Sequence, residues 1–476
     1  MIAPARSAAY QALRAVNGGH ADLPAALARV RPGLHDERDR ALAGEIVTGT
    51  LRWQGAYDAV VAAFAKRPLS KLDPEVLDVL RMTAFQLIHL DRVPASAAVN
   101  DAVDLVSKAG KRSASGLVNA VLRRISRERA HLPLPSRPPL VLPTAAEQES
   151  PGGRPEARFP AVADERRSEA LAYLSTTLSH PLWLVERWLD RYGFEAAEAW
   201  ALFDNTPARL TLRANTLRIT REALIKRLAA CGVETEPARF AAQGLYVTRG
   251  NPLLTPLADQ GLFAVQDESS QLVAQLTAVA ADERVLDACA SPGGKTTAMA
   301  AAMADRGLIV ATDVRGRRVD LLRRTVAAAG AACVRVVQAD VAGVLPFRTA
   351  FDCVLLDAPC SGLGTLRRDP DVRWRRSAAD FARLTALQPV MLARVADVIA
   401  PAGCLIYATC SSEPEENEAI IARFLDSRHD FALAPARMPA ELARFTTTDG
   451  CFRTFPFRDG LEPFFAAMLV KTKDLR

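Results

Sequence analysis

The stretch that decides the fold is Arg284-Val285-Leu286-Asp287-Ala288-Cys289-Ala290-Ser291-Pro292-Gly293-Gly294-Lys295-Thr296-Thr297. Its apolar start is typical of a buried strand, its paired glycines let the backbone approach a ligand closely, and a helical pattern follows. Further apolar strands alternate with helical patterns downstream: Leu308-Ile309-Val310, Val334-Arg335-Val336-Val337, Asp352-Cys353-Val354-Leu355-Leu356 and Cys404-Leu405-Ile406-Tyr407. Continuous apolar strands between helices predict a parallel sheet covered on both faces, and therefore an α/β Rossmann-like domain over residues 264–476.

Polar side chains follow the ends of these strands. Asp313 ends the second strand, Asp340 follows the third, Asp357 the fourth and Cys410 the fifth. A single aspartate after a strand is more often a turn or cap residue. Because parallel strands place their carboxyl ends at one edge of the sheet, four such groups together favour a ligand site there.

The glycine-rich loop excludes two common phosphate-binding patterns. Gly294-Lys295-Thr296 matches the end of a P-loop, but the first glycine that the P-loop requires falls on Cys289, and G-x-G-x-x-G is absent. ATP hydrolysis and nicotinamide chemistry are therefore not supported. A nucleoside ligand without a phosphate chain remains, and we expect S-adenosylmethionine. Asp313 lies where a carboxylate that binds ribose hydroxyls is expected.

The chain is long enough for about three domains. Residues 1–131 have helical apolar spacing, which predicts an all-α domain. Residues 132–170 are rich in proline and predict an extended linker. Residues 171–263 mix helix and strand patterns, which predicts a small α+β domain. The expected fold is therefore multidomain.

Composition sets further limits. Hydrophobic residues make up 49% of the 476 residues and charged residues 24%, which excludes global disorder. No run of 18 apolar residues occurs and the first residues lack a signal-peptide core, so we expect a cytoplasmic protein without a membrane span. The eight cysteines form no C-x-x-C pair and the histidines do not cluster near them. Neither a metal site nor a disulfide framework is expected.

Motifs of the last domain resemble those of RNA (cytosine-5)-methyltransferases. The lead-in Gln266-Asp267-Glu268-Ser269-Ser270 is similar as well, and the order of the motifs makes the resemblance specific. The three motifs are Cys289-Ala290-Ser291-Pro292-Gly293-Gly294-Lys295, Asp357-Ala358-Pro359-Cys360-Ser361-Gly362 and Ala408-Thr409-Cys410-Ser411.

The rest of the chain resembles the other domains found in one type of these methyltransferases. Residues 1–131 are similar to the antitermination factor NusB, and 171–263 to an RNA-binding region. The NusB likeness lies in Val93-Pro94, Val99-Asn100-Asp101-Ala102-Val103 and Leu117-Val118-Asn119-Ala120-Val121-Leu122-Arg123, and the other in Ser179-His180-Pro181-Leu182-Trp183 and Leu212-Arg213-Ala214-Asn215. A NusB-like domain fused to such a methyltransferase resembles the RsmB (Sun) type, which modifies 16S ribosomal RNA.

The resemblance implies specific roles. Cys410 would add to carbon 6 of cytosine, which activates carbon 5 towards the methyl group, and Cys360 would assist breakdown of the covalent adduct. Asp313 would hold the ribose hydroxyls and Asp340 the adenine amino group. Asp357 would contact either the cytosine edge or the cofactor. The loop that would line the cofactor is Cys289, Ala290, Ser291, Pro292, Gly293, Gly294 and Lys295.

Several readings of the partner stay open at this point. The expected substrate is 16S ribosomal RNA, bound by a monomer, with no DNA, membrane or metal partner. The alternatives are the same chemistry on transfer RNA and a non-catalytic NusB-like RNA-binding protein. An arginine-rich loop over 367–376, with Trp374 within it, is expected to hold phosphates and stack a base. The net charge of +6 lies in residues 1–131, which carry 19 basic and 13 acidic side chains, and favours RNA binding by that domain.

Overall fold

The computed structural model describes residues 2–139, 164–347 and 350–472. The chain divides into two compact units, and the first unit is discontinuous in sequence. It comprises Met1–Pro207 together with Leu366–Arg375, whereas the second unit comprises Ala208–Thr365 and Arg376–Arg476. Helices and strands are numbered in chain order across both units.

The start of the first unit is helical, as its sequence predicts. Side chains from these helices, including Leu13, Val47, Val79 and Leu122, form one buried core. Proline opens the helix that begins at Pro74, where its missing N–H costs no hydrogen bond. The helices are α1 (Pro4–Asn17), α2 (Leu23–Val30), α3 (Glu37–Arg52), α4 (Gln54–Ala65), α5 (Pro74–His89), α6 (Ala95–Lys108) and α7 (Ser115–Glu128).

The predicted linker over 132–170 is only partly observed. Residues 140–163 lie outside the described part of the chain. The prediction is wrong at its end, because helix α8 spans Asp164–Ala172. Its prolines stop at residue 160, so nothing in the sequence from 164 onwards prevents a helix. Helix α9 (Leu182–Asn205) follows and is kinked at Gly193, whose φ is 76°.

Arg373 lies in the interior of the first unit. It is 1% exposed and lies in the single-turn helix α14 (Val372–Arg375). Its Nη1 donates to the backbone oxygens of Arg52 at 3.1 Å and Ser179 at 2.8 Å, and to Oδ1 of Asn205 at 3.1 Å. Burial lowers the pKa of Arg373 to about 10, so the guanidinium stays charged at neutral pH.

The structure therefore corrects the reading of the arginine-rich loop. Arg373 is buried and therefore cannot hold RNA phosphates, and Trp374 is half-buried with its indole N–H donating to the oxygen of Leu51 at 2.7 Å. The motif that begins at Ser179 and resembles an RNA-binding region also contains internal side chains, because Ser179 and His180 are buried. Local sequence shows the charge of a cation, but not whether the fold buries it.

Replacing Arg373 with alanine is expected to destabilise the first unit by about 3 kcal/mol, because several buried acceptors lose their donor. Thermal denaturation followed by circular dichroism measures the change. Arg112→Ala is the control, since Arg112 is exposed, and should leave the transition unchanged. An Arg373→Ala protein that melts like the parent would contradict this structural role.

The second unit begins with a small antiparallel sheet of order β2-β3-β1-β4. Arg213 on this sheet is buried and donates to Oε1 of Gln266 at 2.7 Å and to Oγ1 of Thr297 at 2.8 Å. Through these hydrogen bonds Arg213 joins the small sheet to the region of the glycine-rich loop. The elements are β1 (Thr211–Ala214), α10 (Arg221–Ala230), β2 (Glu234–Pro237), β3 (Gly244–Arg249) and β4 (Phe263–Val265).

A larger sheet of order β10-β12-β9-β8-β5-β6-β7 follows, with β11 paired to β12. The strands β5 to β9 run parallel, as predicted, whereas β12 is antiparallel to its neighbours β9, β10 and β11. Its strands are β5 (Arg284–Asp287), β6 (Leu308–Asp313), β7 (Val334–Gln338), β8 (Phe351–Asp357), β9 (Ile399–Thr409), β10 (Phe431–Leu433), β11 (Phe452–Thr454) and β12 (Phe464–Lys471).

Helices cover both faces of this sheet, and the sheet separates two buried clusters. One cluster includes Leu355 and Ile406, and the other includes Leu356 and Tyr407. Neighbouring strand residues alternate between the clusters, as period-two geometry requires. The helices are α11 (Glu268–Leu276), α12 (Gly294–Ala302), α13 (Gly316–Ala329), α15 (Ala378–Asp397), α16 (Glu418–Ser427) and α17 (Pro456–Asp459). Within the described ranges, no helix is both long enough and apolar enough to cross a membrane.

Candidate active site at the carboxyl edge of the sheet

The glycine-rich loop connects β5 to α12 at the carboxyl edge of the parallel strands. Gly293 has a φ of 106°, and an added Cβ there would lie 2.9 Å from Leu322. Glycine is therefore required by both conformation and space. This turn brings the backbone of the loop close to the ends of the neighbouring strands.

Asp287, the last residue of β5, has one unsatisfied carboxylate oxygen. Its Oδ2 accepts a hydrogen bond from the hydroxyl of Thr296 at 2.7 Å, whereas Oδ1 is buried and has no partner among the described residues. Burial raises the pKa of Asp287 to about 7. An incoming ammonium group would satisfy this oxygen and favour the charged carboxylate. The family resemblance implies no role for Asp287.

Three carboxylates converge around Cys289. Burial raises the pKa of its thiol, and the charges of Asp357, Asp287 and Asp313 raise it further. Asp313 is 6% exposed, and its Oδ1 accepts the backbone N–H of Arg315 at 3.0 Å. Cys289 is therefore a neutral thiol that lines the loop.

Asp340 lies apart from that group. It is exposed, and its Oδ1 accepts the backbone N–H of Ala342 at 2.9 Å in the turn after β7. The neighbouring Ala339 donates to the oxygen of Asp313 at 3.2 Å, so this turn lies beside the end of β6. The edge thus offers carboxylates after β5, β6 and β7, which suits a nucleoside with hydroxyl and amino donors.

Lys295 and Asp357 form a close ion pair in which Nζ lies 2.6 Å from Oδ2. Burial lowers the pKa of Lys295, but the charge and hydrogen bond of Asp357, together with the charge of Cys410, raise it overall. The effect is reciprocal, so the Lys295 ammonium favours a thiolate on Cys410. The sequence places Lys295 in the glycine-rich loop but does not show this contact.

The two motif cysteines lie together, with their Sγ atoms 3.3 Å apart. Cys410 directly follows β9 and Cys360 follows β8, and these strands are parallel neighbours. The contact with Cys410 and burial raise the pKa of Cys360 well above its usual value. The raised pKa favours Cys360 as the protonated member of the pair.

Gly364 permits the close approach of the two cysteine loops. Its N–H donates to the oxygen of Cys410 at 2.8 Å, and an added Cβ would lie 2.2 Å from the oxygen of Pro463. The same Cβ would lie 2.8 Å from the oxygen of Cys410, so a side chain at this position would push the Cys410 loop away.

Buried residues that the motifs do not include hold these loops. Glu416 and Asn417 are fully buried, although an acidic run such as Glu413–Glu418 is typical of a helix start. The signal available was the dense run of carboxylates just after the Cys410 motif. Its burial could not be deduced because the sequence does not show which donors face it.

No group of side chains suited to holding a metal ion occurs in the described residues. What the described part of the edge holds is a glycine-rich loop with carboxylates, an ion pair and two adjacent thiols. This arrangement can bind a nucleoside cofactor and perform nucleophilic thiol chemistry.

Three family models match the chain. A model described as 16S rRNA methyltransferase RsmB/F matches residues 274–470, the NusB family matches residues 3–127, and an RsmF/B-like ferredoxin-like domain matches residues 180–253. These ranges follow one another along the chain without overlap.

Relatives and solved structures match over most of the chain. A probable ribosomal RNA small subunit methyltransferase B of Bacillus subtilis is 32% identical, with 91% of each chain covered. The ribosomal RNA small subunit methyltransferase B of Pseudomonas putida is 33% identical, with 88% of each covered. The crystal structure of PH0851 covers 99% of both chains with a TM-score of 0.77 and 24% identity, which supports the fold.

Proposed function

Because this chain belongs to the ribosomal RNA small subunit methyltransferase B family, we propose that it transfers a methyl group from S-adenosylmethionine to carbon 5 of a cytosine in 16S ribosomal RNA. The observation that carries the proposal is the 3.3 Å contact between Cys360 and Cys410 beside the Lys295–Asp357 pair. Two thiols at this spacing suit a reaction that first forms and then breaks a sulfur–carbon bond.

In the proposed mechanism Cys410 is the nucleophile. Lys295 favours its thiolate, which forms a bond to carbon 6 and makes carbon 5 electron-rich. S-adenosylmethionine, when bound, supplies the electrophilic methyl group. Carbon 5 forms a bond to that methyl group, its proton passes to solvent water, and the electrons of the broken carbon–hydrogen bond expel Cys410 from carbon 6 as a thiolate. Cys360, which keeps its proton, assists this release.

The residues proposed to bind the cofactor lie at the same carboxyl edge of the sheet. The loop 289–295 holds the cofactor, Asp313 accepts from the ribose hydroxyls and Asp340 accepts from the adenine amino group. The free oxygen of Asp287 suits the amino group of the methionine part. Asp357, oriented by Lys295, contacts either the cytosine edge or the cofactor.

We assign the other parts of the chain to RNA. Residues 1–131 form the NusB-like domain, 132–170 the segment that leads out of it, 171–263 the RNA-binding domain and 264–476 the catalytic domain. The excess of basic over acidic side chains in 1–131 supports a contact with the RNA backbone. The protein acts as a monomer in the cytoplasm, on RNA and not on DNA.

Replacing Asp313 with alanine is expected to weaken S-adenosylmethionine binding about tenfold to a hundredfold, since charge-assisted hydrogen bonds to the ribose are lost. Isothermal titration calorimetry measures the dissociation constant. Asp320→Ala is the control, because Asp320 is exposed on α13. Equal cofactor affinity in the parent and Asp313→Ala would remove Asp313 from the site.

Bisulfite sequencing tests the reaction and the RNA together. The protein is incubated with S-adenosylmethionine and either unmodified 16S ribosomal RNA or transfer RNA, and converted cytosines are counted. We expect one protected cytosine in 16S ribosomal RNA. Protection confined to transfer RNA would move the same chemistry to another substrate, and no protection in either RNA would support a non-catalytic RNA-binding protein.

A further inference from the structure

Glu416 is a buried carboxylate that binds both cysteine loops. Its Oε1 accepts the backbone N–H of Ser361 at 2.8 Å, and its Oε2 accepts the hydroxyl of Ser411 at 2.5 Å. Ser361 directly follows Cys360, and Ser411 directly follows Cys410. One planar group therefore spans the residues that adjoin the two thiols.

Further hydrogen bonds complete this connection. The hydroxyls of Ser361 and Ser411 lie 3.1 Å apart. Gln388 on α15 donates its Nε2 to Oε1 of Glu416 at 3.2 Å and to the oxygen of Pro359 at 3.0 Å. The hydroxyl of Tyr407 donates to the backbone oxygen of Glu416 at 2.6 Å, which fixes its main chain. In a dry interior, such charge-assisted bonds hold their geometry firmly.

We propose that Glu416 is a positioning residue that sets the separation of the two reactive thiols by holding Ser361 and Ser411. It touches neither the base nor the cofactor and acts only through the loops. The inference rests on the proposed function, because the order of thiol addition and release gives the separation its meaning. A carboxylate suits this task because each of its oxygens accepts from a different loop.

The kinetic test uses two variants of the full-length protein. Glu416→Leu removes both acceptors, whereas Glu416→Gln keeps the shape and one acceptor oxygen. Misplacement of reacting groups by about 1 Å costs about 100-fold in rate. We expect kcat to fall about 100-fold in Glu416→Leu and less in Glu416→Gln, with the KM for RNA and the Kd for S-adenosylmethionine unchanged.

A second test measures the thiol geometry without RNA. Diamide removes one hydrogen from each thiol and is reduced as the Cys360–Cys410 disulfide forms, and mass spectrometry of the linked peptides gives the rate. We expect rapid linkage in the parent and slower linkage in both variants. Glu441→Gln, which removes an exposed carboxylate, is the control and should match the parent.

The outcomes separate the inference from the proposed function. Unchanged linkage rates in both variants would overturn the role of Glu416, as would a parallel loss of cofactor affinity and melting temperature in Glu416→Gln. If Glu416→Leu does not fold, Glu416→Gln decides the question. A parent protein that methylates no RNA would contradict the proposed function. The disulfide-formation rates would still test whether Glu416 positions the two thiols.

Discussion

Replacing Cys410 with alanine is expected to lower methyl transfer by at least about a thousandfold, since the bond to carbon 6 can no longer form. Radioactive methyl incorporation into 16S ribosomal RNA measures the rate. Cofactor binding should persist, because the carboxylates and the glycine-rich loop remain intact. The loss would therefore appear in kcat, with the Kd for S-adenosylmethionine unchanged.

A matched control is Cys231→Ala, which removes an exposed thiol from the small domain. It should methylate RNA at the parental rate. A Cys410→Ala protein that retains activity would exclude Cys410 as the nucleophile, and the Cys360 variant would then identify which thiol adds to the base.

Replacing Cys360 with alanine is expected to trap a covalent enzyme–RNA adduct. In the structure the protonated thiol of Cys360 lies 3.3 Å from the sulfur of Cys410, where it can assist departure of that sulfur from the base. Without it, Cys410 still adds to carbon 6 but leaves slowly. A denaturing gel with labelled RNA and S-adenosylmethionine should show a slowly migrating band.

The double variant Cys360→Ala/Cys410→Ala is the control for this adduct. It should give no band, since the attacking sulfur is absent. A band in the double variant would mean that another group bonds to the RNA. Absence of a band with Cys360→Ala alone, together with full turnover, would show that Cys360 has no part in product release.

The catalytic edge of the sheet could be predicted because the ends of the strands can be recognised in the sequence. Apolar runs followed by Asp313, Asp357 or Cys410 mark where parallel strands stop, and parallel strands gather those residues at one edge. The Cys360–Cys410 contact follows from the pairing of two neighbouring strands. The family resemblance supplied the roles, which periodicity alone does not provide.

The burial of polar side chains could not be predicted from the sequence. Arg373, Arg213 and Glu416 are charged residues of types that usually lie on the surface, yet all three are buried and hydrogen-bonded. Their partners are mostly backbone atoms or residues far away in sequence, so no local pattern marks them. Helix α8 was missed for a different reason, because the prolines of the preceding stretch dominated its composition.

The discontinuity of the first unit has a consequence for synthesis on the ribosome. Its helices up to Asn205 emerge early, but the acceptors around Asn205 receive the Arg373 guanidinium only after residue 375 has left the exit tunnel. Domains usually fold in order as the nascent chain appears. Here the amino-terminal unit cannot complete its interior until about 160 residues of the other unit have been translated. A fragment ending at Pro207 therefore lacks a part of its own interior.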